Sequence, residues 1–138
     1  MTKEKAAFSL DDLDATRASA EAFEFEYLMP DGEPSGLFLS VLGGQSEQVT
    51  REVARIINER RRRDAVRAAK RKKDSVEFDT FESDLETGSQ LAFVRLVGWR
   101  GMVEEFNEAN AMRLCSSNRD VAAQIIEQSD LMANFMKR

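Results

Sequence analysis

Both prolines of this 138-residue chain, Pro30 and Pro34, lie in one short segment, and their position limits where helices can be interrupted. Proline has no backbone N–H and breaks the interior of a helix. Segment 30–36 also contains Gly32 and Gly36, and this mixture is typical of a turn. The rest of the chain is therefore free to form long helices.

The residues on either side of this turn predict a β-hairpin over 22–44. Phe23–Tyr27 alternates apolar and acidic side chains with a period of two, which suits a half-buried strand. The returning strand, 37–42, is mostly apolar and is followed by two glycines. Because apolar side chains then collect on one face of the hairpin, we expect a helix to cover that face.

Residues 46–73 predict one long helix. Gly43–Ser46 is typical of a tight turn in which Ser46 caps the helix that follows. Val49, Val53 and Ile56 are spaced by three and four residues and mark an apolar stripe. The stripe thins beyond Arg60, so we expect the first half to pack on the hairpin and the second half to project into solvent.

The C-terminal part of the chain predicts further helices after a linker or short extended piece at 74–81. A second helix over 82–98 has a wide apolar face, and Gly98–Gly101 is expected to end it. Asn107 and Asn118 are candidate N-caps of two more helices.

These patterns predict an α+β fold that is mainly α. A hairpin comes first, a long basic helix follows, and about three helices form a cluster over 82–136. Residues 1–20 are acidic and predict a mobile arm with a short amphipathic turn over 9–17. The remaining residues, 21–138, are short enough to form one domain.

The composition excludes several chemistries. Histidine is absent, which removes the usual general base and the commonest metal ligand. Cys115 is the only cysteine, so neither an internal disulfide nor a cysteine-rich zinc site can form. We therefore expect no catalytic residue, metal or cofactor. The first residues have no apolar signal segment, and no run approaches the ~20 apolar residues of a membrane span.

Charge is divided sharply along the chain. The net charge is −7 over residues 1–50, +8 over 51–73 and −6 over 74–138. The basic segment predicts an anionic partner on one interpretation, either a nucleic acid or an acidic protein surface. On the other, its cations lie on a solvated helix and pair with acids of the same chain or of a neighbouring copy. The basic side chains are Arg60, Arg61, Arg62, Arg63, Arg67, Lys70, Arg71, Lys72 and Lys73.

Two observations argue against nucleic acid as the partner. Arg60–Arg63 covers more than one helical turn, so these side chains point in all directions instead of forming one face. The overall sequence pI of about 4.9 opposes general affinity for polyanions.

The last third of the chain carries a series of short motifs. It resembles the small tail assembly chaperones of long-tailed phages and prophages. Those proteins show a Gly-Trp element, a Phe-x-x-Glu-Asn helix start and a last helix closing on Ala-Asn-Phe. Here Ala109 separates the Glu from the Asn, which departs from the pattern. The motif segments are Leu96–Gly101, Phe106–Ala111, Arg113–Cys115, Ile125–Ser129 and Leu131–Phe135.

The resemblance, which extends over 22–136, implies a non-catalytic function. Such chaperones bind the tape measure protein, and in several systems the tail tube protein, and keep them soluble until the tube polymerises. They act in the host cytoplasm and are absent from the mature virion. We expect a groove between the second helix and the last helix to bind the partner, lined by Leu91, Val94, Trp99, Leu131 and Phe135.

Alternatives remain open at this point. Trp99 suits a core junction as well as an exposed binding anchor. The main alternative is another small phage morphogenesis protein, such as a head–tail connector or a tail terminator. A nucleic-acid-binding regulator that uses residues 51–73 is a further alternative, and an enzyme is the weakest.

Overall fold

The computed structural model describes residues 7–70 and 76–137, with the side chains of 76–80 excepted. The fold is mixed α+β and mostly helical, as predicted. Short 3-10 turns precede the first helix, at Asp11–Leu13, and follow the last, at Met132–Asn134. In chain order the other elements are α1 (Ala15–Ala18), β1 (Phe23–Leu28), β2 (Pro34–Val41), α2 (Glu47–Lys70), α3 (Val76–Phe93), β3 (Leu96–Arg100), α4 (Glu108–Ser117) and α5 (Arg119–Asp130).

The predicted hairpin is present as β1 and β2, which pair antiparallel with Phe25 opposite Leu39. Its inner face is buried: Leu39 and Val41 have no exposed surface, and Tyr27 is 5% exposed. The period-two pattern of the sequence therefore sorts these side chains as expected, with acids on the outer face.

The sheet has a third strand, which corrects the predicted helix over 82–98. β3 pairs antiparallel with β2, with Trp99 opposite Leu39, so the strand order is β1-β2-β3. The preceding helix ends at Phe93. The run 96–100 is short and contains β-branched and aromatic residues, which suit a strand when a neighbouring strand is available.

The boundaries of the two longest helices also differ from the prediction. Helix α3 begins at Val76, so 76–81 is helical where a linker or extended piece was expected. Helix α2 runs from Glu47 to Lys70, and the last three residues predicted for it, 71–73, lie outside the described residues.

The main core lies between the inner face of the sheet and the last two helices. Ile125 and Val121 of α5 and Cys115 of α4 are fully buried there beside Leu39 and Val41. Helix α3 packs against α4 and α5, and α2 packs against α3. The helices are thus held together by α3 as much as by the sheet.

The chain segments meet at the glycine pair after β2. Gly43 N–H donates to the carbonyl of Ser19 at 2.9 Å, and Gly44 N–H donates to that of Ser129 at 2.8 Å. Ser46 caps α2, as predicted, by accepting a hydrogen bond from Val49 N–H at 3.1 Å. Ser19 is fully buried, so the end of the predicted acidic arm is fixed to the domain.

Within the part of the chain that the structure describes, no helix is long and apolar enough to cross a membrane.

Candidate partner-binding surface

The five residues predicted to line a binding groove do not come together. Phe135 packs edge-on against Phe23 of β1, with ring centroids 5.9 Å apart. Trp99 belongs to β3, at the other edge of the sheet. About 10 Å of sheet separates these edges, and the fully buried side chains of Leu39 and Val41 lie between them.

The remaining three predicted residues lie elsewhere. Leu91 and Val94 are partly buried at the end of α3, while Leu131 follows α5 and is 49% exposed. Helices α3 and α5 are in direct contact, so the second and the last helices pack on each other where a groove between them was expected.

Trp99 organises the loop between β3 and α4. Its Nε1–H donates to the carbonyl of Glu104 at 3.0 Å. Its ring meets Phe106 edge-on, with centroids 5.0 Å apart. Trp99 also packs on the main core, so it has the junction role, one of the two interpretations drawn from the sequence.

The second motif segment completes this loop. Asn107 accepts a hydrogen bond from Asn110 N–H at 2.8 Å and so caps α4, as predicted. The Asn110 side chain donates to the carbonyl of Glu105 at 2.9 Å. The motif segments Leu96–Gly101 and Phe106–Ala111 are therefore parts of one folded unit. In it Phe106 packs against Trp99, and the hydrogen bonds of Asn107 and Asn110 fix the end of the loop.

An open groove lined by both apolar and polar side chains lies beside this unit. Its cavity volume is about 350 Å³, within the range of ligand-sized pockets. Val97 and Phe106 are each 37% exposed at its surface. The apolar lining residues are Phe93, Val94, Leu96, Val97 and Phe106, and the polar lining residues are Gln48, Glu52 and Glu108.

Sequence reasoning placed only Val94 in this groove. Val97 was placed on the apolar face of the predicted helix but not among the groove residues, and Phe106 was missed because a loop residue gives no periodic signal. Phe106 is nevertheless one of the motif residues, and this was the signal in the sequence that pointed to it as a candidate for partner binding.

The predicted basic patch is partly neutralised within the chain. Arg60 pairs with Asp84 of α3 and lies 3.7 Å from Asp64, while Arg63 pairs with Glu86 of α3 at 3.4 Å. This arrangement agrees with the interpretation of a solvated helix whose cations meet acids of the same chain.

The other described basic side chains of the predicted patch differ from Arg60 and Arg63 in having no acidic partner among the described residues. Arg61, Arg62, Arg67 and Lys70 form no ion pair with another described residue. Residues 71–73, the last three of the predicted patch, lie outside the described residues.

The residues suited to chemistry are dispersed or buried. No group of three or more cysteine, aspartate or glutamate side chains within the described ranges is arranged to hold a metal ion. Cys115 is fully buried, and this burial raises the pKa of its thiol to about 11. A thiol with so high a pKa is a poor nucleophile at neutral pH.

No family model, characterised protein or solved structure matches this chain.

Proposed function

We propose that this protein is a tail assembly chaperone that binds the tape measure protein and keeps it soluble while a phage tail is built. One observation carries the proposal. The motif residues that resemble those chaperones, Leu96–Gly101 and Phe106–Ala111, form a single folded unit that borders the open groove with Val94, Val97 and Phe106 in its lining.

The groove has the chemistry to shield an apolar helix. A tape measure protein is a long helix with an apolar stripe, and such a stripe self-associates when exposed to water. Helix-in-groove recognition covers a stripe of this kind with aliphatic and aromatic side chains, here Val94, Val97 and Phe106. Glu108 favours a bound helix whose apolar stripe is flanked by lysine or arginine, whereas the carboxylate of Glu52 already pairs with Arg55 at 3.0 Å.

The tail tube protein is a second client that the resemblance implies. Binding of either client precedes polymerisation of the tube, so we expect the protein to act in the host cytoplasm and to be absent from the mature virion. A head–tail connector or a tail terminator would instead remain in the particle, which mass spectrometry of purified virions distinguishes.

The experiment that tests the groove is co-expression with the tape measure protein of the same phage, followed by affinity pull-down and a solubility assay. We expect the wild-type chain to retain the tape measure protein in the soluble fraction. Val97→Asp places a charge in the groove and should abolish co-purification, because a carboxylate there would be desolvated by the bound helix.

Val103→Asp is the matched control. Val103 is 99% exposed and does not line the groove, so the same substitution there should leave binding intact. Trp99 and Phe135 are unsuitable for this test because both pack on the main core. Retention of the tape measure protein by a folded Val97→Asp variant would disprove the groove assignment.

A further inference from the structure

Helix α4 has a second side that does not face the main core. Ala111 and Cys115 mark its core side and are fully buried. Another set of side chains recurs at intervals of three and four residues and therefore lies together on a different side of the helix. This set consists of Asn110, Arg113, Leu114 and Ser117. It forms one wall of a pocket that shares no lining residue with the groove of the proposed function.

The opposite wall of this pocket comes from β3 and the loop that follows it. Trp99, Met102 and Glu104 complete the lining. The Nε1–H of Trp99 is already bound to the carbonyl of Glu104, so the indole offers the pocket its apolar ring surface. The cavity volume is about 140 Å³. Since a cavity of about 150 Å³ can hold one benzene molecule, the pocket has room for one side chain of leucine size.

Two polar groups on α4 have no partner that would keep a ligand away. Arg113 is exposed and pairs with no acid among the described residues. The Asn110 amide nitrogen donates to the carbonyl of Glu105 at 2.9 Å, whereas its Oδ1 receives no hydrogen bond from a described residue. The pocket therefore offers a guanidinium and, one helical turn before it, a hydrogen-bond acceptor.

We propose that this pocket binds the C-terminal residue of a partner polypeptide, where that residue has an apolar side chain of about leucine size. Its carboxylate accepts hydrogen bonds from Arg113, in the two-pronged geometry that a guanidinium favours. The backbone N–H of the same residue donates to Asn110 Oδ1. Its side chain packs between Trp99, Met102 and Leu114. Capture of a C-terminal carboxylate is a recurring mode of peptide recognition.

Glu104 restricts which chain ends fit. It is the acidic residue of the lining, and it forms no ion pair with Arg113 or with any other residue that the structure describes. A bound carboxylate is attracted by Arg113 and repelled by Glu104, so partners with lysine or arginine just before their last residue are favoured. A chain N-terminus would place an ammonium group in the pocket with no anion for Arg113.

Fluorescence of Trp99, the only tryptophan of the chain, reports directly on the pocket. We expect titration of the full-length protein with acetyl-Lys-Ala-Leu to shift the emission to shorter wavelength, with a Kd of about 1 mM. The same peptide with a C-terminal amide should bind about fivefold more weakly or worse, because the carboxylate is lost. Acetyl-Lys-Ala-Gly should bind about fivefold more weakly as well, because it has no side chain to bury.

Arg113→Met removes the charge but keeps an unbranched apolar stem. It should weaken binding of the free-acid peptide by about fivefold or more and leave binding of the amide nearly unchanged. Arg119→Met is the matched control, because Arg119 is also exposed but does not line the pocket. Circular dichroism of both variants confirms that they are folded.

Several outcomes would overturn the assignment. They are an unchanged Trp99 emission up to about 10 mM of the free-acid peptide, equal affinity for acid and amide, and equal losses in the two methionine variants. Free L-leucine binding as tightly as the peptide would show a site for amino acids and not for a polypeptide. Val97 lies outside this pocket, so the pocket and the proposed function succeed or fail separately.

Discussion

Gly32 and Gly101 share a backbone φ of +87° but have very different surroundings. A Cβ added to Gly32 would meet no atom within 4 Å, whereas one added to Gly101 would lie 2.3 Å from the carbonyl oxygen of Gly36. Both positions use the left-handed conformation that favours glycine. Only Gly101 also needs the absence of a side chain, because the end of β3 lies against the backbone of β2 there.

This difference predicts unequal costs for the same substitution. Gly32→Ala should lower the free energy of unfolding by about 1 kcal/mol, the cost of a left-handed alanine. Gly101→Ala should lower it by about 3 kcal/mol, because the methyl group also forces the two strands apart. Urea denaturation of the two variants measures the difference. If both variants lost the same free energy of unfolding, the two strands would be able to move apart at little energetic cost.

At the scale of single elements, the two C-terminal helices depend on asparagine caps. The Asn118 side chain accepts hydrogen bonds from Asp120 N–H at 3.0 Å and from Val121 N–H at 3.1 Å, at the start of α5. Helix α5 supplies Val121 and Ile125 to the core, so its first turn must be held in place.

Asn118→Ala should therefore lower the free energy of unfolding by about 1 kcal/mol, because two backbone N–H groups lose their acceptor. Asn118→Asp keeps an acceptor and should cost much less. The two variants are compared by thermal or urea unfolding. If Asn118→Asp lowered the free energy of unfolding as much as Asn118→Ala, the amide group itself, and not its role as a cap, would be what stabilises this position.

The elements that the sequence predicts correctly are those specified by neighbouring residues. Hairpin, turn and cap signals are local: Phe23–Tyr27 alternates, Ser46 and Asn118 precede helices, and all three were predicted and observed. β3 was missed because Leu96–Trp99 is apolar at every position except Gly98, and such a run suits a buried strand or a helix equally. Its pairing with β2, about 60 residues earlier, decided between them.

The start of α3 was missed for a related reason. Val76 and Phe78 alternate with acidic residues, which resembles an extended segment when read alone. The structure makes the same residues helical and continuous with the apolar stretch that ends at Phe93. Contacts such as Phe23 with Phe135, between the two ends of the chain, cannot be read from any local pattern. The predicted groove failed for this reason.

Across the whole molecule, the charge blocks seen in the sequence fold onto one another. The basic helix α2 lies against α3, whose Asp84 and Glu86 pair with Arg60 and Arg63. Each of these pairs is exposed and contributes little to stability. Their main effect is on the field around α2, because they lower the positive potential that the helix presents to a polyanion.

Removing the carboxylates of Asp84 and Glu86 should raise the positive electrostatic potential around α2. The variant Asp84→Asn/Glu86→Gln leaves Arg60 and Arg63 without their partners on α3, and we expect it to elute from a heparin column at higher salt than wild type. The control variant Glu104→Gln/Glu105→Gln changes the net charge equally, but Glu104 and Glu105 lie in the loop before α4 and form no ion pair with another described residue. If both variants shifted alike, net charge alone would govern retention, and the pairing of α2 with α3 would have no part in suppressing affinity for polyanions.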